Sequence, residues 1–195
     1  MLKQLLQDGF NATLFERRSQ VGGLWAYDAK HGWTTALATT TANISKYTCG
    51  FTDYPIPDSK SIQTSKSLYL FKTEYPVHLG TFDFQEFMQG YAEHFGLLKH
   101  IKFDTSVKMV NRNKEDNGWE VEVEDVESGK IDRRQFDKVA FCHGYQTTKR
   151  MPVFPGQKEY EGEIIHSQQY RRFARPSTGQ LANMLTNHQS RRVQK

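Results

Sequence analysis

Leu2, Leu5 and Leu6 fall at helical spacing and Gly9 stands where a C-terminal cap is expected, so residues 1 to 8 read as the end of a helix. The apolar run from Ala12 to Phe15 then predicts a short buried strand closing on Glu16. Helix end, glycine, strand and acid in that order make the second half of a βαβ unit. From His31 to Asp58 the chain turns to Thr, Tyr and Gly and closes with the proline-bounded DYPIP, a pattern of irregular structure laid over a surface or ligand. Helical periodicity returns at Asp83 to Phe95, where Phe84, Phe87, Met88, Tyr91 and Phe95 share one face. Core packing accounts for that stripe without a cofactor.

A period of two follows. Ile101, Phe103, Thr105, Val107 and Met109 alternate, as do Trp119, Val121 and Val123, with KEDNG as the turn between them. A third strand from Lys130 to Phe136 completes a β-meander. DKVAFCHG, Asp137 to Gly144, reads as a buried strand ending in a glycine that lets a ligand approach the backbone. MPVFPG is a proline-bounded linker, and beyond Pro176 the chain is polar, basic and weakly patterned, with no stable fold expected. The elements together predict an α/β fold with an inserted meander.

With 195 residues, 13 Phe, 9 Tyr and 3 Trp, the chain has material for one substantial core. No uncharged apolar run approaches the roughly 18 residues that span a bilayer, and MLKQLLQDG is too polar for a signal peptide, so no transmembrane segment and a soluble, cytoplasmic protein are expected. Cys49 and Cys142 stand far apart, with no CxxC and no histidine at ligand spacing, which argues against a disulfide framework or a metal site. Both thiols are expected to be ordinary buried residues. The net charge of +4 is a property of one end: no acid follows Glu163, and Arg171, Arg172, Arg175, Arg191, Arg192 and Lys195 leave the body at about −2. A basic tail without interleaved aromatics is a poor nucleic-acid surface, so no nucleic-acid partner is expected.

Chemistry enters at YEGEIIHSQQYRRFARP, Tyr160 to Pro176. It closely resembles the identifying motif of flavin-containing monooxygenases, FxGxxxHxxxY followed by a basic residue, with Tyr160 in place of the leading Phe and with Gly162, His166, Tyr170 and Arg171 matching. Related Baeyer–Villiger monooxygenases carry Trp where this chain has Tyr170, which favours the first family. FERRSQVGGLW, TANISKYTCGFTDYPIP and YAEHFGLLKHIKFDTSVKMV are similar to further segments of the same family, in order, over about residues 1 to 176.

The resemblance implies a partial FAD-binding, Rossmann-like domain over residues 1 to 165, an inter-domain linker motif over 166 to 176, and a basic, unstructured tail over 177 to 195. It implies FAD and NADPH as cofactors and oxygenation of a small nucleophile, an amine nitrogen or sulfide sulfur, by O2 through a flavin C4a-hydroperoxide. Glu16 would hold the FAD ribose, and Gly22, Gly23, Leu24 and Trp25 would lie against the cofactor. Asn43 would sit beside the flavin as the catalytic amide, Val107 would offer backbone to the adenine, and Gly144 would admit the cofactor. Gly162, His166, Tyr170 and Arg171 would tie one nucleotide domain to the other.

By residue type alone, Glu16 is equally an exposed acid, Gly22 and Gly23 a surface turn, Asn43 an amide in a Thr-rich loop and Val107 a strand valine. His166, with an ordinary pKa of about 6.5, suits proton transfer, although a structural role is the better expectation. The family's two glycine-rich turns do not appear, so the chain is expected to be an excerpt, inactive alone. A non-catalytic binding protein and a Baeyer–Villiger relative remain the alternatives, and a homo-oligomer and peripheral endomembrane association remain open.

Overall fold

The computed structural model describes residues 1–57, 75–144 and 148–171, together with the backbone of 183–185. A first helix, α1 (Leu2–Gln7), ends at Asp8 and turns through Gly9 at φ +84°. It leads to β1 (Leu14–Phe15), which pairs in parallel with β2 (Ile101–Lys102). A single 3₁₀ turn spans Gly23–Trp25, and one turn of helix, α2, spans Lys46–Cys49. Next comes the long helix α3 (Thr81–His94).

The stripe read on α3 packs as expected. Phe87, only 2% exposed, forms one core with Tyr54, Ile56, Tyr75 and Leu79, and Phe84, Met88, Tyr91 and Phe95 close around it. At the N-terminal end of α3 the Asp83 carboxylate accepts the Gly80 N–H at 3.2 Å, and at the other end Gly96 reverses the chain at φ +62° with Leu97 N–H donating to the Ala92 carbonyl. Asp83 satisfies a donor that helix geometry leaves orphaned, and the glycine lets the C-terminal carbonyls be capped. A second core gathers Leu2, Ala92, Leu97 and Ile101, with Leu6, Leu14 and Phe103 packed against it and Tyr91 and Phe95 shared with the first. The α3 helix is therefore the common wall of both cores. DYPIP is irregular as expected, yet it is no covering: Tyr54 and Ile56 are buried in the first core.

The meander is antiparallel, β3 (Thr105–Arg112), β4 (Trp119–Asp125) and β5 (Ile131–Phe136) in that order. On β4, Val121 and Val123 are buried while Glu120, Glu122 and Glu124 bond Gln135, Arg133 and Lys108 across the strands. The KEDNG turn is tied by Asn113, whose Oδ1 accepts the N–H groups of Asn117 and Gly118. The Phe15 and Phe136 rings meet edge to face at 5.9 Å and join the meander to β1.

Three expectations need correction. The alternating run 101 to 109 is two strands, because Asp104 takes φ +51° and redirects the chain from the parallel pair into the meander, where a register shift between Val107 and Met109 further breaks the alternation. Residues 137 to 144 form no strand and are largely exposed, Phe141 to 64%. An apolar run is buried as a strand only when neighbours take up its backbone groups, and among the described residues β1 pairs with β2 alone. The thiols are not buried either: Cys49 is half-buried and Cys142 exposed.

Beyond the linker, β6 (Ile164–His166) pairs in parallel with β7 (Asn183–Leu185). Apart from β7, the tail expected to be unstructured lies outside the described residues. Among the described residues no helix is long and apolar enough to cross a membrane, and no cluster of His, Cys, Asp and Glu could hold a metal.

Removal of the Phe87 ring leaves a cavity where α3 meets DYPIP. Phe87→Ala should lower the stability measured by urea denaturation by about 3–5 kcal/mol, whereas Val153→Ala, at a side chain 89% exposed, should change it by less than about 0.5 kcal/mol. Equal effects would show that the core lies elsewhere.

Candidate functional site

Glu16 follows β1 and extends its pairing. Its N–H donates to the Lys102 carbonyl and its carbonyl accepts from Thr105 N–H, both at 3.0 Å. One side-chain oxygen of Glu16 accepts the Arg18 N–H at 2.9 Å, which aims the carboxylate at the carboxyl end of the strand. That is where open α/β sheets bind ligands. Val107, on the strand begun by Thr105, stands close by in sequence and is exposed on β3.

The chain then runs to Gly22 and Gly23. Gly22 takes φ +124°, and a Cβ there would meet the Ala26 N at 3.2 Å and the Gln85 side chain at 3.3 Å, so only glycine passes unstrained between the turn and α3. Gly23 takes φ +52° with open space where its Cβ would be. Leu24 is exposed, and Trp25 stacks on Phe84 at 4.6 Å with the rings 13° from parallel. Gln85 donates to Gln20 at 3.1 Å, a second tie between this turn and α3.

Asn43 lies exposed between two backbone anchors: Ala42 N–H donates to the Leu79 carbonyl at 2.8 Å and Lys46 N–H to the Val77 carbonyl at 2.7 Å. Thr41 bridges Gly80, so this passage and the Trp25 turn both reach the N-terminal end of α3. Glu16 at the end of β1, Val107 on β3, and the Gly22 to Trp25 turn and the Asn43 passage, both tied to the N-terminal end of α3, are thus placed by separate sets of contacts. Gly144 is exposed, at φ +72°, and a Cβ there would meet nothing within 4 Å.

The motif residues gather on another loop. The Tyr160 ring folds over Gly162, leaving no room for a Cβ there. His166 is 2% exposed; its Nδ1 accepts the Gln168 N–H at 3.1 Å, and its own N–H donates to the Gln169 side chain at 3.2 Å. The ring caps a turn through Nδ1, while its Nε2 is buried without a hydrogen-bond partner among the described residues. Arg171 donates to the Trp33 carbonyl at 2.8 Å and to the Gln168 and Tyr170 carbonyls, while Gln168 donates to the Thr34 hydroxyl. Tyr170 is half-buried at the end of this turn.

Several residues here carry no signature in the sequence. Arg18 is a cation only 5% exposed, donating to the Thr34 carbonyl at 2.6 Å and pairing with Asp28 at 3.5 Å. Burial and neighbouring Arg17 pull its guanidinium below the ordinary arginine value, against the pull of Asp28 and Glu16. Trp33 lies under the guanidinium groups of Arg17 and Arg18, at 4.9 and 5.4 Å, and stacks on His31 at 4.3 Å. Lys46 is a second buried cation, its Nζ donating to the Tyr75 carbonyl at 2.8 Å. Arg18, Tyr27, Asp28, His31, Trp33 and Asp104 border a cleft of ≈ 380 Å³.

Burial pushes the Asp28 carboxyl up, but bonds from the His31 N–H and ring and from the Lys30 N–H outweigh it and hold the group at about 2. A pKa lower in the folded chain than the usual value of about 3.9 stabilises the fold above that value, and this contribution is lost as pH falls toward about 2. Acid unfolding of wild type and Asp28→Asn, followed by tryptophan fluorescence, should therefore show the variant less stable at neutral pH and less sensitive between about pH 4 and 2. Parallel curves would show that Asp28 is not held as described.

Comparison with known proteins places this geometry. The flavin-binding monooxygenase-like family profile matches residues 1–178. Rat dimethylaniline monooxygenase [N-oxide-forming] 4 is 34% identical over 177 residues, covering 87% of this chain and 29% of that protein. Guinea pig flavin-containing monooxygenase 5 is 32% identical over 177 residues, with 87% and 30% covered. The chain thus spans less than a third of the length of these relatives. Among solved structures, S-allyl-L-cysteine S-oxygenase from Allium sativum shares the fold at a TM-score of 0.70 and 22% identity, over 87% of this chain and 39% of that one. OTEMO, solved in complex with FAD and NADP, does so at 0.59 and 20%, over 89% and 28%. With a profile match over most of its length and relatives above 30% identity, the chain belongs to the flavin-binding monooxygenase-like family.

Proposed function

We propose that these residues form the ribose- and flavin-facing part of the FAD site of an NADPH- and O2-dependent monooxygenase that oxygenates soft nucleophiles, amine nitrogen or sulfide sulfur. The observation that carries this reading is the Glu16 carboxylate, aimed by the Arg18 N–H at the carboxyl end of β1 and followed within a few residues by Gly22, whose φ and close neighbours admit only glycine without strain. A carboxylate there accepts charge-assisted bonds from vicinal ribose hydroxyls. The substrate class draws support from the names of two relatives, one N-oxide-forming and the other an S-oxygenase.

When bound, the flavin supplies the redox and oxygen-activating chemistry, so no acid or base is demanded of the chain. Glu16 holds the ribose, Val107 faces the adenine, and Gly22 to Trp25 let the backbone pass close to the cofactor while Trp25 is braced by Phe84. Asn43 offers a neutral amide that both donates and accepts, and so can orient a reacting group without protonating it. His166 is buried and its Nδ1 is committed to a turn.

The pyrophosphate is the part this chain does not accommodate. No G-x-G-x-x-G occurs in the 195 residues, and affinity for a dinucleotide rests heavily on backbone N–H groups at such a turn and on the helix N-terminus behind it. Purified 195-residue chain should be colourless and should not oxidise NADPH when FAD is added. Fusing a strand and a G-x-G-x-x-G turn ahead of residue 1 should yield yellow, FAD-bound protein, still without NADPH turnover. Stoichiometric flavin in the unfused chain, read from its visible absorbance, would overturn this account.

A further inference from the structure

We propose that Arg18 is a positioning residue linking the Tyr160 to Arg171 motif to the Glu16 carboxylate, so that the motif governs the aim of the ribose-binding acid. The contacts are continuous. Arg171 donates to the Trp33 carbonyl and Gln168 to the Thr34 hydroxyl, fixing two consecutive residues of the loop from outside. Arg18 fixes the same loop from beneath, through the Thr34 carbonyl at 2.6 Å and Asp28 at 3.5 Å. The Arg18 N–H in turn holds the Glu16 carboxylate at 2.9 Å.

Burial gives the arrangement its force. A guanidinium 5% exposed cannot exchange its protein acceptors for water, so a displaced Thr34 leaves a buried charge short of a partner. Arg18 must then move with the loop. The Arg18 carbonyl is held separately by Asp104 N–H at 3.1 Å, so a displaced Arg18 turns its backbone about that fixed point and strains the bond its own N–H, in the preceding peptide unit, makes to Glu16. Asp28 strengthens the lower contact, because its carboxylate also takes the Lys30 and His31 N–H groups and so anchors the loop's first turn. Glu16 holding ribose belongs to the function proposed above; the linkage itself rests only on these bonds.

Amide hydrogen exchange on the purified chain separates the two. In Arg171→Met, exchange across residues 14 to 22 should rise at least fivefold, while residues 119 to 125 of β4 keep the wild-type rate. Gln168→Leu, which removes only the contact to Thr34, should give a smaller rise in the same segment, and Arg171→Lys should restore part of the protection. Unchanged exchange over 14 to 22 in Arg171→Met and Gln168→Leu, or an equal rise over 119 to 125 in both, would overturn the linkage. Adding adenosine at millimolar concentration, which carries the ribose diol without a diphosphate, should protect 14 to 22 in wild type but not in Glu16→Gln. Adenosine protection missing from wild type, with the Arg171→Met effect present, would remove the ribose role and leave the linkage standing.

Discussion

The structure depends on how residues 16 to 18 are held against residues 102 to 105. Three backbone hydrogen bonds, Glu16 N–H to Lys102, Thr105 N–H to Glu16 and Asp104 N–H to Arg18, carry the two-residue parallel pair onward past its formal end. A pair that short has little stability of its own. These bonds extend it and simultaneously attach the meander, which leaves the same stretch at Asp104 and returns when Val126 N–H donates to the Asp104 carbonyl at 2.8 Å. The point that joins the two halves of the body is thus also the point that presents Glu16. Loss of it would misplace the acid and detach the meander together.

Helix α3 does for the Gly22 to Trp25 turn and the Asn43 passage what this seam does for Glu16. Its apolar stripe is needed to close two cores, and its first turn is where the Trp25 ring, the Thr41 bridge and Gln20 all come to rest. Stacked aromatic pairs contribute about 0.5–1.5 kcal/mol beyond area burial, enough to favour one orientation of a 3₁₀ turn that the glycines alone would leave free. Site geometry is therefore borrowed from core packing.

This explains what could be read from the sequence and what could not. The α3 helix and the three-stranded meander follow from local periodicity, whereas Glu16, Gly22 and Gly23 were singled out by combining a strand-end acid and a double glycine with the family resemblance, since each pattern alone has an ordinary structural meaning. Arg18 was not legible: nothing in FERRSQVGG distinguishes it from Arg17, and its burial depends on Asp28, Thr34 and a motif more than 130 residues away. Asp104 hides its positive φ inside an alternating run. Residues 137 to 144 failed in the other direction, since an apolar run states that a segment can be buried but not which strand would pair with it. Resemblance supplied Asn43 and Val107, which residue type alone would have passed over, whereas Gly144 came from the strand expected over 137 to 144, which does not form.

The distribution of buried charge separates holding from reacting in this domain. Arg18 and Lys46, the buried cations, donate to backbone carbonyls, and His166 is spent on a turn. The groups left at Glu16, Asn43 and the glycine pair are a carboxylate, an amide and backbone, all able to make hydrogen bonds to a ligand. On the function proposed above, such a division suits a reaction whose reactive atoms belong to a cofactor, and selection would then act on where that cofactor sits. Residues such as Arg18, remote from any reacting atom but fixed in position by burial, would carry that selection as directly as the residues that touch the cofactor.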